Sequence, residues 1–147
     1  MCKSAVLQYT GFLSIGGYGE GGHSSTAEIF NPRNGHSCKI GDLPVATVDA
    51  TICKNIVCGG EMATQSCFQY DGVGTFTALP VTLINPRTNH LCWSLPSGEI
   101  LLLGGQYGSQ KKTEKISVDG SSSTADFDLP YDIEYFETSD SLYLHCI

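Results

Sequence analysis

Phe12-Leu13-Ser14-Ile15-Gly16-Gly17, Ile56-Val57-Cys58-Gly59-Gly60 and Leu101-Leu102-Leu103-Gly104-Gly105 are the stretches that decide the fold. Each is a short apolar run closed by a glycine doublet. The doublets begin at 16, 59 and 104, so the intervals are 43 and 45 residues. A period in this range indicates a repeat architecture of small sheets. Glycine suits the end of such a strand for two reasons. It leaves room where another backbone approaches closely, and it permits the positive φ of a sharp exit.

The register extends outward from the doublets. After each come a variable loop and a β-type run ending in a turn: Ala27-Glu28-Ile29-Phe30-Asn31-Pro32, Ser66-Cys67-Phe68-Gln69-Tyr70-Asp71-Gly72 and Glu114-Lys115-Ile116-Ser117-Val118-Asp119-Gly120. Asn or Asp followed by Pro or Gly makes a tight turn. A further segment then ends in Leu43-Pro44, Leu79-Pro80 and Leu129-Pro130. Strand-length runs at 48–52 and 90–93 precede the second and third doublets. Four strands per period, here called a to d with the doublet closing b, predict an all-β chain of four-stranded antiparallel meanders.

This ordered set resembles the kelch repeat of β-propellers. Arg87-Thr88-Asn89-His90 matches the kelch entry segment, and the doublets, Phe30-Asn31-Pro32, Tyr70-Asp71-Gly72 and the Leu-Pro pairs match the rest. The chain departs from the pattern at the tryptophan: Ile40, Phe76 and Phe127 lie near its place, while Trp93 falls on another strand. The resemblance implies kelch-type propeller blades at about 5–44, 45–80 and 81–130, with 131–147 starting a fourth. Closed propellers have roughly 4–8 blades, so 147 residues are read as an incomplete propeller, a piece of a longer one or a three-blade arc that self-associates.

The formal charge is −7. An acidic chain with scattered basic residues is a poor match for nucleic acid or an anionic membrane. There is no apolar run long enough to span a membrane, and the chain carries no apolar signal core. Cysteine is frequent. Cys58 holds the place of Ile15 and Leu103, and Cys67 is aligned with Ile29 and Ile116, on the adjacent strand. A cross-strand disulfide is therefore expected, with an oxidising, extracellular or secretory setting; two buried thiols acting as small hydrophobes are the alternative. Cys38, Cys53, Cys92 and Cys146 also fall on predicted strands. No zinc-type spacing occurs, so no metal and no cofactor are expected.

Gly17-Tyr18-Gly19-Glu20-Gly21-Gly22 contains a G-x-G-x-x-G, but a strand-like run follows where a dinucleotide site needs a helix. His90 is read as structural, a ring nitrogen holding a neighbouring loop. The carboxylates Asp126, Asp128, Asp132, Glu134, Glu137 and Asp140 alternate with apolar residues, as on a solvated sheet face. Copper oxidases of the galactose-oxidase type share kelch-like blades, but none of their ligands can be placed here. The expected function is a non-catalytic scaffold that presents loops to a protein or ligand. The alternative is a fragment of a secreted propeller oxidase or carbohydrate-active enzyme. Meander geometry puts the b–c loops (18–26, 61–65, 106–113) and the d–a loops (44–48, 80–89, 130–132) on one rim. Its candidate contact residues are Tyr18, Glu20, His23, Glu61, Arg87, Gln106, Tyr107 and Lys111, with Arg87 and the tyrosines as hot spots.

Overall fold

The structure is a computed structural model that describes residues 12–133. The fourth blade expected at 131–147 lies outside the described residues beyond Ile133, as do the Glu134, Glu137 and Asp140 carboxylates, Cys146 and the start of the first blade. The described part is all-β, without a helix. The first sheet pairs β1 (Phe12–Ile15) with β4 (Ala27–Asn31) and β4 with β5 (His36–Lys39). A small hairpin, β2 (Tyr18–Gly19) and β3 (Gly22–His23), stands in its b–c loop. The second sheet is β6 (Thr51–Cys53), β7 (Ile56–Cys58), β8 (Ser66–Tyr70) and β9 (Phe76–Thr82). The third is β10 (Leu91–Ser94), β11 (Ile100–Leu103), β12 (Lys112–Ile116) and β13 (Ser123–Asp128). Strand order within each follows chain order and every pairing is antiparallel, so these are meanders that leave the assembly open rather than a closed barrel.

The turns between c and d form where the sequence places Asn or Asp. Their side chains take over backbone donors that the ladder has released. Asn31 Oδ1 accepts from Arg33 N at 2.9 Å, Asp71 Oδ1 from Val73 N at 2.7 Å, and Asp119 Oδ1 from Ser121 N at 3.0 Å.

The doublets do more than end strand b. The second glycine of each donates its N–H to a carbonyl of the following d–a linker: Gly17 to Thr47 at 2.9 Å, Gly60 to Arg87 at 3.1 Å, and Gly105 to Ile133 at 2.8 Å. The first glycine lies against that same carbonyl. A Cβ on Gly16, Gly59 or Gly104 would press into Thr47 O, Arg87 O or Ile133 O, and all three glycines have φ between 61 and 66°. The next residue binds backwards, Glu61 N to Val48 O and Gln106 N to Thr88 O, each at 2.9 Å. The first two linkers are thus clasped on both sides.

The hydrophobic residues fill two cores. One joins Ala27, Leu43, Val57, Phe68, Tyr70 and Phe76, between the first and second sheets. The other joins Cys58, Cys67, Val81, Leu83, Ile100, Leu102 and Ile116, between the second and third. Full burial of each large aliphatic side chain contributes about 1.5–3 kcal/mol. Successive residues of β7 serve opposite cores, since side chains alternate across a strand.

Three expectations of alignment need correction. Cys67 pairs with Cys58 where Ala27 pairs with Ile15 and Thr113 with Leu103. Its equivalents are therefore Ala27 and Thr113, not Ile29 and Ile116, because the b–c loops differ in length. Leu79-Pro80 lies inside β9, and Leu83 takes the place of Leu43 and Leu129: their amides donate to the b–c loop at Gln65 O, Ser25 O and Lys111 O. The second d strand therefore runs past residue 80. Phe127 does not enter the core: β13 is an edge strand exposed on both faces beyond its first residue.

Candidate functional site

The two sets of loops meet on one rim, as the meander predicts. Thr47 N donates to Ser24 O, Arg87 N to Thr64 O and Ile133 N to Gln110 O, at 2.9–3.0 Å, so every d–a linker is sewn to the b–c loop of the sheet before it. The rim is joined at its base by backbone hydrogen bonds. Met62 and Tyr107, each two residues beyond a doublet, share a positive φ of 48 and 63°.

Tyr18, His23 and Glu61 are brought together. The Tyr18 and His23 rings meet edge to face at 5.5 Å, and His23 Nε2 lies 2.8 Å from Glu61 Oε2 across the gap between sheets. Glu20 occupies the exposed tip of the β2–β3 hairpin. This hairpin is what the G-x-G-x-x-G forms; β4, a strand, follows it. Tyr107 is exposed, and Lys111 Nζ lies 3.7 Å from Asp132. Gln106 is half-buried, with its Oε1 accepting from Thr88 Oγ1 at 3.4 Å, so it serves the clasp as well as the rim.

Arg87 is not on the rim surface. It is fully buried, and its guanidinium donates to Gly104 O at 2.9 Å, Lys112 O at 3.2 Å and Glu114 Oε2 at 3.0 Å. Glu114 is equally buried; its carboxylate accepts from Ile84 N at 2.6 Å, Asn85 N at 3.3 Å and Ser123 Oγ. Burial lowers the Arg87 pKa from its ordinary value, and the Glu114 charge opposes that shift. A buried cation persists when it is paired and hydrogen-bonded, and here both conditions hold at Nη1 and Nη2, while Nε makes no hydrogen bond. Arg87 is therefore a tie between the second and third sheets rather than a contact for a partner.

Glu114 was hidden from sequence reasoning because it follows Lys111-Lys112 and reads as one more surface charge. Its register was the available signal. Glu114 pairs with Leu102 where Phe68 pairs with Val57, a position that faces a core. His90 also departs from expectation. Neither ring nitrogen has a hydrogen-bond partner, so the ring holds no loop. Burial, with the neighbouring Arg87 charge second, pushes its pKa down to about 3, and the imidazole is neutral.

The expected disulfide Cys58–Cys67 is present, with the Cα atoms 4.2 Å apart on directly paired residues of β7 and β8. A second bridge, Cys53–Cys92, joins the a strands of neighbouring sheets at a Cα separation of 6.0 Å. It could not be read from spacing, because its partners come together only when the sheets stack. Cys38 is not a free thiol either. The described late carboxylates are taken up by lysines of the third sheet: Asp128 with Lys112 at 2.8 Å, Asp126 with Lys115 at 3.1 Å, and Asp132 with Lys111. Among the described residues, no group of His, Cys, Asp and Glu side chains is arranged to hold a metal, and no helix is long and apolar enough to cross a membrane. No protein-family model matches this chain, and a search of curated proteins returns no match.

Proposed function

We propose that the chain is a non-catalytic, kelch-type propeller scaffold whose b–c and d–a loops dock a protein partner. The observation that carries this reading is the rim. Its backbone is clasped by the glycine doublets, yet it exposes Tyr18, Met62, Ile84, Tyr107 and Tyr131. Tyrosine offers a large contact area with only two rotatable side-chain bonds, and it is enriched among interface hot spots. With Arg87 buried, the hot spots of this reading are Tyr18 and Tyr107, flanked by Glu20, His23 and Glu61. The two disulfides support an oxidising, extracellular or secretory setting for the encounter.

A photo-crosslinking residue placed at Tyr18 or Tyr107, and for comparison at Val73 or Val118 in the c–d turns, tests the reading. Adducts are expected from the first pair in an extract of the source tissue. Adducts confined to Val73 and Val118 would move the interface to the opposite rim and overturn it.

A further inference from the structure

Glu28, Phe30 and Ser37 on the first sheet hold the register positions of Glu114, Ile116 and Ser123 on the third, and of Phe68, Tyr70 and Phe76 on the second. On the third sheet this face is sealed by the second. Glu114 and Ile116 are fully buried there, and Ser123 Oγ donates to the Glu114 carboxylate. On the first sheet the same face is open. Phe12 is 67% exposed and Phe30 40%, and the exposed Glu28 side chain has no partner among the described residues. An exposed apolar patch of this kind marks an interaction site. Its one carboxylate says what it accepts.

Each d–a linker begins at a leucine whose amide holds the b–c loop. Four residues on, it offers the carbonyl taken by the glycine doublet: Leu43 to Thr47, Leu83 to Arg87, Leu129 to Ile133. The linker lying against Glu114 supplies the Arg87 guanidinium, and Ile84 N, directly after the leucine, donates to the carboxylate at 2.6 Å. The linker of the first sheet, whose neighbour carries Phe68 at that place, has Thr47 instead of arginine. It also has Pro44, which has no N–H to give, instead of Ile84. Linker and facing residue change together: a carboxylate goes with arginine and a free amide, an aromatic ring with neither. Glu28 and Ser37 repeat the carboxylate version. A second copy of this chain does not match it, because its outer linker holds Pro130 and Ile133. Arg33, the one arginine besides Arg87, sits in a c–d turn at the opposite rim. We infer that the open face of the first sheet docks a partner β-sheet that is not a copy of this chain. The partner's d–a linker carries an arginine four residues after its leucine, to pair with Glu28, and a residue other than proline directly after that leucine. Phe12 and Phe30 meet the partner's d strand, as Ile100 and Ile116 share a core with Val81 and Leu83. This face is separate from the rim, so the inference does not depend on the docking proposed there.

The probe is a synthetic peptide with the sequence of residues 79–90, which joins the d-strand residues Leu79, Val81 and Leu83 to the arginine linker. It is titrated into the disulfide-intact chain up to millimolar concentration, with the Glu28 side-chain carboxyl resonance as the readout. That resonance should move saturably. The same peptide with Ile84→Pro and Arg87→Thr should bind about tenfold more weakly, for loss of a charge-assisted pair. Glu28 is exposed, so Glu28→Gln keeps the fold; it should weaken binding of the unaltered peptide by a similar factor and leave the altered one unaffected. An unmoved Glu28 resonance, equal binding of the two peptides, or equal binding of the unaltered peptide to wild type and Glu28→Gln would overturn the inference. So would self-association in sedimentation that Phe30→Glu abolishes, which would assign the face to a second copy.

Discussion

Arg87 and Glu114 place two charges where water does not reach. Removing one partner of such a pair leaves the other uncompensated, so Glu114→Ala should cost about 3–5 kcal/mol in urea unfolding. An apolar double replacement, Arg87→Met with Glu114→Leu, removes the stranded charge and should recover part of that loss. It should not recover all, because Ile84 N and Asn85 N lose their acceptor, at about 1–3 kcal/mol each when buried. Full recovery would show that those two amides find water. His90 makes stability depend on pH. Its folded pKa, about 3, lies below the ordinary 6.5, so the unfolded chain binds the extra proton. Stability is complete above pH 6.5 and falls as pH drops toward 3, by up to about 1.4 kcal/mol per pH unit. Unfolding of wild type and His90→Phe at a series of pH values should show this slope only in the wild type. None of these three environments was legible locally, since burial here is created by the sheet stacked on the other side.

The glycine doublets and the disulfides act on whole elements. Two effects restrict the first glycine of each doublet, its positive φ and the carbonyl against it, and they can be separated. Gly72 in a c–d turn has φ 81° with nothing near its Cβ position, whereas Gly59 has φ 66° with Arg87 O and the His90 ring close by. Gly72→Ala should cost about 1 kcal/mol, the penalty for a side chain in the left-handed region. Gly59→Ala should cost distinctly more, because the linker must move as well. Equal costs by thermal denaturation would refute the clasp. The disulfides differ in the loops they close. Cys58–Cys67 spans 9 residues and Cys53–Cys92 spans 39. On the chain-entropy account these contribute ~2.6 and ~3.9 kcal/mol, so the Cys53→Ala/Cys92→Ala variant should be the less stable of the two double variants.

Across the molecule, the linkers are where one sheet's order depends on the next. Thr47, Arg87 and Ile133 each hold the preceding doublet through the carbonyl and the preceding b–c loop through the amide. Hydrogen exchange should reveal this coupling. Gly104→Ala is expected to deprotect Gly105, Gln106 and the linker around Ile133, while the β8–β9 ladder keeps its protection. Uniform loss across the sheets would mean that the clasps do not delimit units.

Much of this architecture was legible because it depends on local chemistry. Apolar runs, Asn or Asp turns and a periodic doublet state their conformations within a few residues of themselves, so strand order and the shared rim followed from spacing; the Cys58–Cys67 pair followed from the short loop joining adjacent strands, although the spacing set Cys67 out of register with the other repeats. The tertiary structure alone decided what lies between sheets. The Cys53–Cys92 bridge, the Arg87–Glu114 tie and the unpartnered His90 join residues up to 39 apart or owe their state to a surface contributed by another repeat. An arginine in a loop has the same sequence signature whether it meets solvent or a neighbouring sheet, and only stacking removes its water.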